Sequence, residues 1–152
     1  SVDDIVAPIL KVGRVCCACV RCRQTHWSIA PLVDAVVDFY GPTDFLVMDM
    51  CGSKIVHDDI DSPGSQLVGG GIQQNKDKVK TANPITYLSK NMPHFLIIHG
   101  MKDLTVPYCQ SKLLHNALKE NGVQSKLITI EDGGHGPNVQ IPEFYNKMTS
   151  FF

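Results

Sequence analysis

Asp103 and His135 are the two side chains of this sequence whose types and placement suit them to move protons together. Asp103 stands three residues beyond Gly100, and His135 directly follows Gly133-Gly134, so each lies just past the end of a β-rich run. In a parallel α/β sheet the loops beyond the carboxyl ends of the strands gather on one edge, and side chains remote in sequence converge there. A carboxylate beside an imidazole orients the ring and stabilises its protonated form, leaving the other ring nitrogen to take a proton from a nucleophile. Taken singly, Asp103 reads equally well as a turn-forming aspartate and His135 as a loop histidine capping the last helix.

Thiols are the second group of candidates. Cys16, Cys17, Cys19 and Cys22 fall within seven residues, while Cys51 and Cys109 stand apart. A small disulfide scaffold spreads its cysteines, and a chain this apolar needs no covalent staple. The expectation is therefore reduced thiols in a reducing compartment, with the cytoplasm favoured. Cys16 or Cys17 could serve as a nucleophile, since a thiolate paired with histidine is competent, but an incidental thiol is the simpler reading. Cys16, Cys19 and Cys22 followed by His26 have the gaps of a soft-ligand metal site. They lack a second ligand pair and a proline after the last ligand, and His57 beside Asp58 and Asp59 lacks a fourth ligand. No metal and no other cofactor is expected.

The chain has 152 residues, 43% of them hydrophobic, with 14 Lys+Arg against 15 Asp+Glu and a formal charge of -1. That suits one domain with its own core and provides no broad positive field, so neither nucleic acid nor an anionic membrane is an expected partner. No apolar run approaches the roughly 18 residues that span a bilayer, and residues 1–4 lack the basic start of a secretory signal, so the chain reads as soluble.

From residue 33 onward, short apolar β-rich runs alternate with helical patterns, the mark of an α/β fold with a mostly parallel sheet flanked by helices. Residues 35–40 form a buried strand stopped by Gly41-Pro42-Thr43-Asp44. Residues 45–65 are an acidic connection without sustained period, a surface excursion or lid. A short helix then starts near Ser65, capped by Ser62 or Ser65, and residues 73–81 are polar and exposed. Residues 94–100 are the clearest strand, expected in the middle of the sheet. Leu113, Leu114, Ala117 and Leu118 mark a helix over 108–121, with Gly122 where a C-cap belongs. Residues 126–130 form another strand, and residues 142–152 an amphipathic helix presenting Phe144, Tyr145, Met148 and Phe151. Asp38, a carboxylate inside a strand, needs partners and is expected to hold a loop near the active edge. His99 is read as a packed strand-end histidine. The first 30 residues differ in kind, being rich in thiols, with no acid from 5 to 33.

Val36-Val37-Asp38-Phe39-Tyr40-Gly41-Pro42-Thr43-Asp44, Ser62-Pro63-Gly64-Ser65, Ala82-Asn83-Pro84-Ile85-Thr86-Tyr87, Phe95-Leu96-Ile97-Ile98-His99-Gly100-Met101-Lys102-Asp103-Leu104-Thr105-Val106-Pro107 and Gly133-Gly134-His135-Gly136 together resemble bacterial α/β-hydrolase carboxylesterases of the acetyl-xylan- and feruloyl-esterase-like branch. The resemblance covers about residues 33–152 and implies the carboxyl half of that fold, with Asp103 as triad acid and His135 as triad base. The order Asp then His, about 30 residues apart, is that of the fold's Ser…Asp…His triad. It also implies a small ester substrate, acylated carbohydrate included.

The departure lies upstream. The Gly-x-Ser-x-Gly elbow that such enzymes carry ahead of the strand ending at Tyr40 is absent, and the chain reads Lys11-Val12-Gly13-Arg14-Val15-Cys16-Cys17-Ala18-Cys19 there. Ser28 is the nearest serine, without flanking glycines, so the nucleophile is unidentified. The expectation is one truncated α/β-hydrolase-like domain over 1–152, with 1–32 a divergent Cys-rich segment. Its missing first strands would leave an apolar edge strand within 5–15 that pairs two copies into a homodimer. Two functions follow: a carboxylesterase for short acyl esters, or a catalytically silent or very weak remnant acting as a structural or interaction dimer.

Overall fold

A computed structural model describes residues 35–136. The fold is organised by its most apolar run, strand β2 (His94–Gly100), in which every residue after His94 is buried. Strand β1 (Ala35–Phe39) pairs with one edge of β2 and strand β3 (Ser125–Ile130) with the other, both parallel. Phe39 stands opposite Ile98, and Gly100 opposite Ile130. Side chains of β2 alternate: Leu96 and Ile98 pack with Val37, Phe39 and Tyr40 on one face, Phe95 and Ile97 with Leu114, Leu118 and Val123 on the other. A strand with apolar neighbours on both faces has no solvent side to carry polar residues, hence the unbroken apolar run.

Helix α3 (Cys109–Glu120) turns Gln110, Ser111, Leu114 and Leu118 inward, one stripe at helical spacing. Its end is a Schellman motif. Gly122 has φ of 74°, its N–H bonds Lys119 O at 3.0 Å, and the Val123 N–H bonds Leu118 O at 2.9 Å. Gly122 thus does what its position predicted, and the buried Val123 closes the helix against Leu118.

The segment between β1 and β2 has more structure than its lack of period suggested. A 3-10 turn spans Phe45–Cys51, helix α1 Pro63–Val68 and helix α2 Lys76–Ala82. Residues 73–81 are mostly exposed, as expected, but they also carry most of α2, whose Val79 is fully buried. Phe45, Met48, Val68, Ile72 and Val79 form a second small core with Val106. Each short element contributes only one or two of these side chains, so no helical period accumulates within any of them. Asp44 caps the 3-10 turn through the Leu46 N–H at 2.9 Å, and Ser62 caps α1 through the Ser65 N–H at 3.0 Å. Asn83 accepts the Phe45 N–H at 3.0 Å, tying the end of α2 to the start of the excursion.

One expectation is corrected outright. Cys51 and Cys109, read as isolated reduced thiols, form a disulfide across 58 residues. It joins the last residue of the 3-10 turn to the first residue of α3. The expected strand within 5–15, the clustered cysteines and the expected helix over 142–152 lie outside the described residues. No described helix is long and apolar enough to cross a membrane.

Candidate active site

Because the three strands are parallel, their carboxyl ends share one edge, and Tyr40, the loop 101–108 and the loop 131–136 all leave from it. The last two loops are laced together. The Met101 N–H bonds Ile130 O at 2.9 Å and the Lys102 N–H bonds Gly133 O at 2.8 Å. Gly100 is required at this crossing, since a Cβ there would fall 2.2 Å from Gly133 O. On the solvent side, Lys102 Nζ meets Asp132 Oδ1 at 2.5 Å.

Asp103 is fixed from within its own loop, where Oδ1 accepts the N–H groups of Thr105 and Val106, each at 2.9 Å. Its Oδ2 lies 2.7 Å from His135 Nδ1 and 3.2 Å from His99 Nε2. Burial pushes this carboxyl up, but the hydrogen bonds from His135, His99 and the Thr105 N–H outweigh it and hold the group well below the usual carboxylate range. An ionised carboxylate only accepts, so His135 Nδ1 carries the proton between them. Nε2 is then the nitrogen left to accept a proton, on a side chain that is 28% exposed. The two residues singled out in the sequence are therefore in direct contact.

Three further groups around this pair were only partly legible. His99 is fully buried, as a packed strand-end histidine should be. Its Nε2 also donates to Val106 O at 2.9 Å, and its Nδ1 meets Ser111 Oγ at 2.6 Å. What the sequence reading missed is its approach to Asp103, for which the four-residue spacing was the available signal. Asp38 does hold a loop at the active edge, accepting the Gly41 N–H at 3.1 Å. Burial raises its carboxyl against the opposing pull of that hydrogen bond and of His99, and Oδ2 has no hydrogen-bond partner among the described residues. Tyr40, read only as the strand's last residue, packs its ring 4.4 Å from that of His135.

His57 is not grouped with Asp58 and Asp59. Its Nδ1 lies 2.7 Å from Asp49 Oδ1 and its Nε2 3.0 Å from Thr105 O, so it ties the excursion to the loop that carries Asp103. Among the described residues, no group of three or more His, Cys, Asp or Glu is arranged to hold a metal ion. Cys16, Cys17, Cys19, Cys22, His26 and Ser28 lie outside the described residues.

Comparison with known proteins rests on these same elements. The BD-FAE family matches residues 18–118, a span that contains Asp103 and stops short of His135. Esterase LipQ of Mycobacterium tuberculosis is 40% identical over 48 residues, 32% of this chain and 11% of LipQ. A truncated form of a carbohydrate esterase from gut microbiota superimposes with a TM-score of 0.71 at 38% identity, covering 78% of this chain and 41% of that one. A bifunctional GH43-CE protein of Bacteroides eggerthii gives 0.69 at 39% identity, covering 78% and 16%. An acylaminoacyl peptidase of Pyrococcus horikoshii, with a TM-score of 0.65 at 21% identity over 80% and 20%, shares the fold. The chain spans less than half the length of each of these relatives. The match over residues 18–118, together with a parallel sheet whose strand ends bring an aspartate to a histidine, shows that this chain belongs to the BD-FAE family of α/β-hydrolase esterases.

Proposed function

We propose that this chain carries the acid and base of a carboxylesterase acting on short acyl esters, with His135 as general base and Asp103 orienting it. The observation that carries the reading is the 2.7 Å contact between His135 Nδ1 and the buried carboxylate of Asp103, at a sheet edge where nucleophilic hydrolases build their sites. In a Ser-His-Asp-type cycle, Nε2 takes the proton of the attacking hydroxyl, and Asp103 stabilises the imidazolium that results. The imidazolium returns the proton to the departing alkoxide, and a second cycle with water releases the acid. The nucleophile is left unassigned. Acylated carbohydrate is the favoured substrate class, supported by the similarity to the carbohydrate esterase from gut microbiota and to the bifunctional GH43-CE protein.

Hydrolysis of p-nitrophenyl acetate tests the reading. His135→Ala is expected to lower kcat by about 10⁶-fold and Asp103→Asn by about 10⁴-fold, the scales of losing a triad base and a triad acid. Turnover unchanged in His135→Ala would overturn it. Labelling with a fluorophosphonate, followed by peptide mapping, identifies the nucleophile, with Ser28 the first serine to inspect. A folded sample with neither adduct nor turnover would assign the alternative, a silent remnant that acts as a structural dimer. Native mass spectrometry tests whether the chain forms a homodimer.

A further inference from the structure

Strand β1 leaves the sheet through a distorted residue. Tyr40 has φ of 44° and is the only non-glycine residue with positive φ among the described residues. For a bulky aromatic side chain that is an outlier, held only where the surroundings over-determine it. Gly41, the neighbour suited to such a conformation, does not adopt it. Gly41 is needed for another reason, since a Cβ there would fall 2.4 Å from Asp38 Oδ1, the atom that accepts its N–H. The buried Asp38 carboxylate thus closes the turn on Gly41, and the distortion falls on Tyr40, whose own N–H still bonds Ile98 O at 3.0 Å. The result is a buried ring with its centroid 4.4 Å from that of His135, tilted by 56°, and 6.3 Å from His99 in an edge-on arrangement.

We infer that Tyr40 is a positioning residue for His135: its ring, aimed by the Asp38–Gly41 turn, seats the imidazole against Asp103. The inference rests on the esterase reading above and deepens it. An aromatic ring within about 6 Å of a cation attracts it through its quadrupole, so the seat favours the charged imidazole formed during turnover. The charged and titratable groups around His135 among the described residues are Asp103 from the loop after β2, His99 from β2 through the shared Oδ2, Tyr40 from the end of β1, and the exposed Lys102–Asp132 pair on the flanking loops. Lys102 and Asp132 offset one another, which leaves Asp103 and Tyr40 as the groups that favour the charged ring.

Tyr40→Gly removes the ring while relieving the backbone, and Tyr40→Phe restores the ring without the hydroxyl. Imidazole NMR, assigned with His135→Ala, is expected to show the His135 titration midpoint falling by about half a unit in Tyr40→Gly and recovering in Tyr40→Phe. With p-nitrophenyl acetate, kcat is expected to fall about tenfold in Tyr40→Gly with KM within about twofold, a typical cost of a misplaced base. The acidic limb of kcat/KM should move to lower pH by the same half unit, as a merely structural loss would not. Tyr40→Asn, another residue tolerant of this backbone region, repeats the test if Tyr40→Gly fails to fold. An unmoved midpoint in a folded variant overturns the inference, even where His135-dependent turnover upholds the esterase reading. A moved midpoint without any His135-dependent turnover overturns the esterase reading, and with it the catalytic purpose of the seat.

Discussion

His135 Nδ1 and Asp103 Oδ2 stand 2.7 Å apart although 32 residues separate them in the chain. The contact follows from β2 and β3 running parallel and ending level, with Gly100 opposite Ile130. It is sharpened by the crossing of Gly100 and Gly133, which brings the two loops close enough for their side chains to meet.

That crossing can be tested. In Gly100→Ala the new Cβ would meet backbone, Gly133 O at 2.2 Å, which cannot yield as a flexible side chain would. The expected cost is about 1–3 kcal/mol, with displacement of the loop bearing His135. A lower thermal midpoint together with an altered His135 imidazole resonance in the folded fraction checks both parts.

The Asp103 carboxyl, held below its unfolded value near 3.8, links the site to acid stability. A depressed folded pKa contributes stability that is present above the unfolded value and lost as pH falls through the folded one. The advantage of the wild type over Asp103→Asn should therefore be full at neutral pH and shrink below about pH 4. Urea denaturation of both proteins across that range measures it, and a difference independent of pH would refute the linkage.

Asp38 has the opposite sign. Its folded carboxyl is raised by burial, so stability is lost as pH rises from the unfolded value of 3.8 through the raised folded value. Asparagine keeps an oxygen to accept the Gly41 N–H without burying a charge. Asp38→Asn is expected to match or exceed the wild type by about 1 kcal/mol at neutral pH, an advantage that disappears in acid. Chemical denaturation at two pH values suffices to check the sign.

The disulfide between Cys51 and Cys109 closes a 58-residue separation. By chain entropy alone, a loop of that size is stabilised by about 4 kcal/mol. Dithiothreitol should lower the denaturation midpoint of the wild type and leave Cys51→Ser/Cys109→Ser, already at the lower value, unmoved.

Local chemistry was enough to make part of this protein legible from its sequence. The uninterrupted apolar run of β2, the helical stripe of α3 and the glycine at its end each express a preference acting within a few residues. Once those elements are set in parallel order, Asp103 and His135 must lie on one edge, which is why the pair could be named without coordinates. What tertiary structure alone decided are meetings between distant residues that no local period encodes. Gln110 Oε1 accepts the N–H groups of Thr43 and Asp44, each at 2.8 Å, from more than sixty residues away. Cys51 finds Cys109, and His57 pairs with Asp49 while reaching Thr105. Tyr40 is the sharpest case: local preference would assign the left-handed backbone to Gly41, but a buried carboxylate claims that glycine and turns the neighbouring ring onto the imidazole. Contacts of this kind depend on strand register and on how loops close, properties of the assembled sheet that are absent from any short window of sequence.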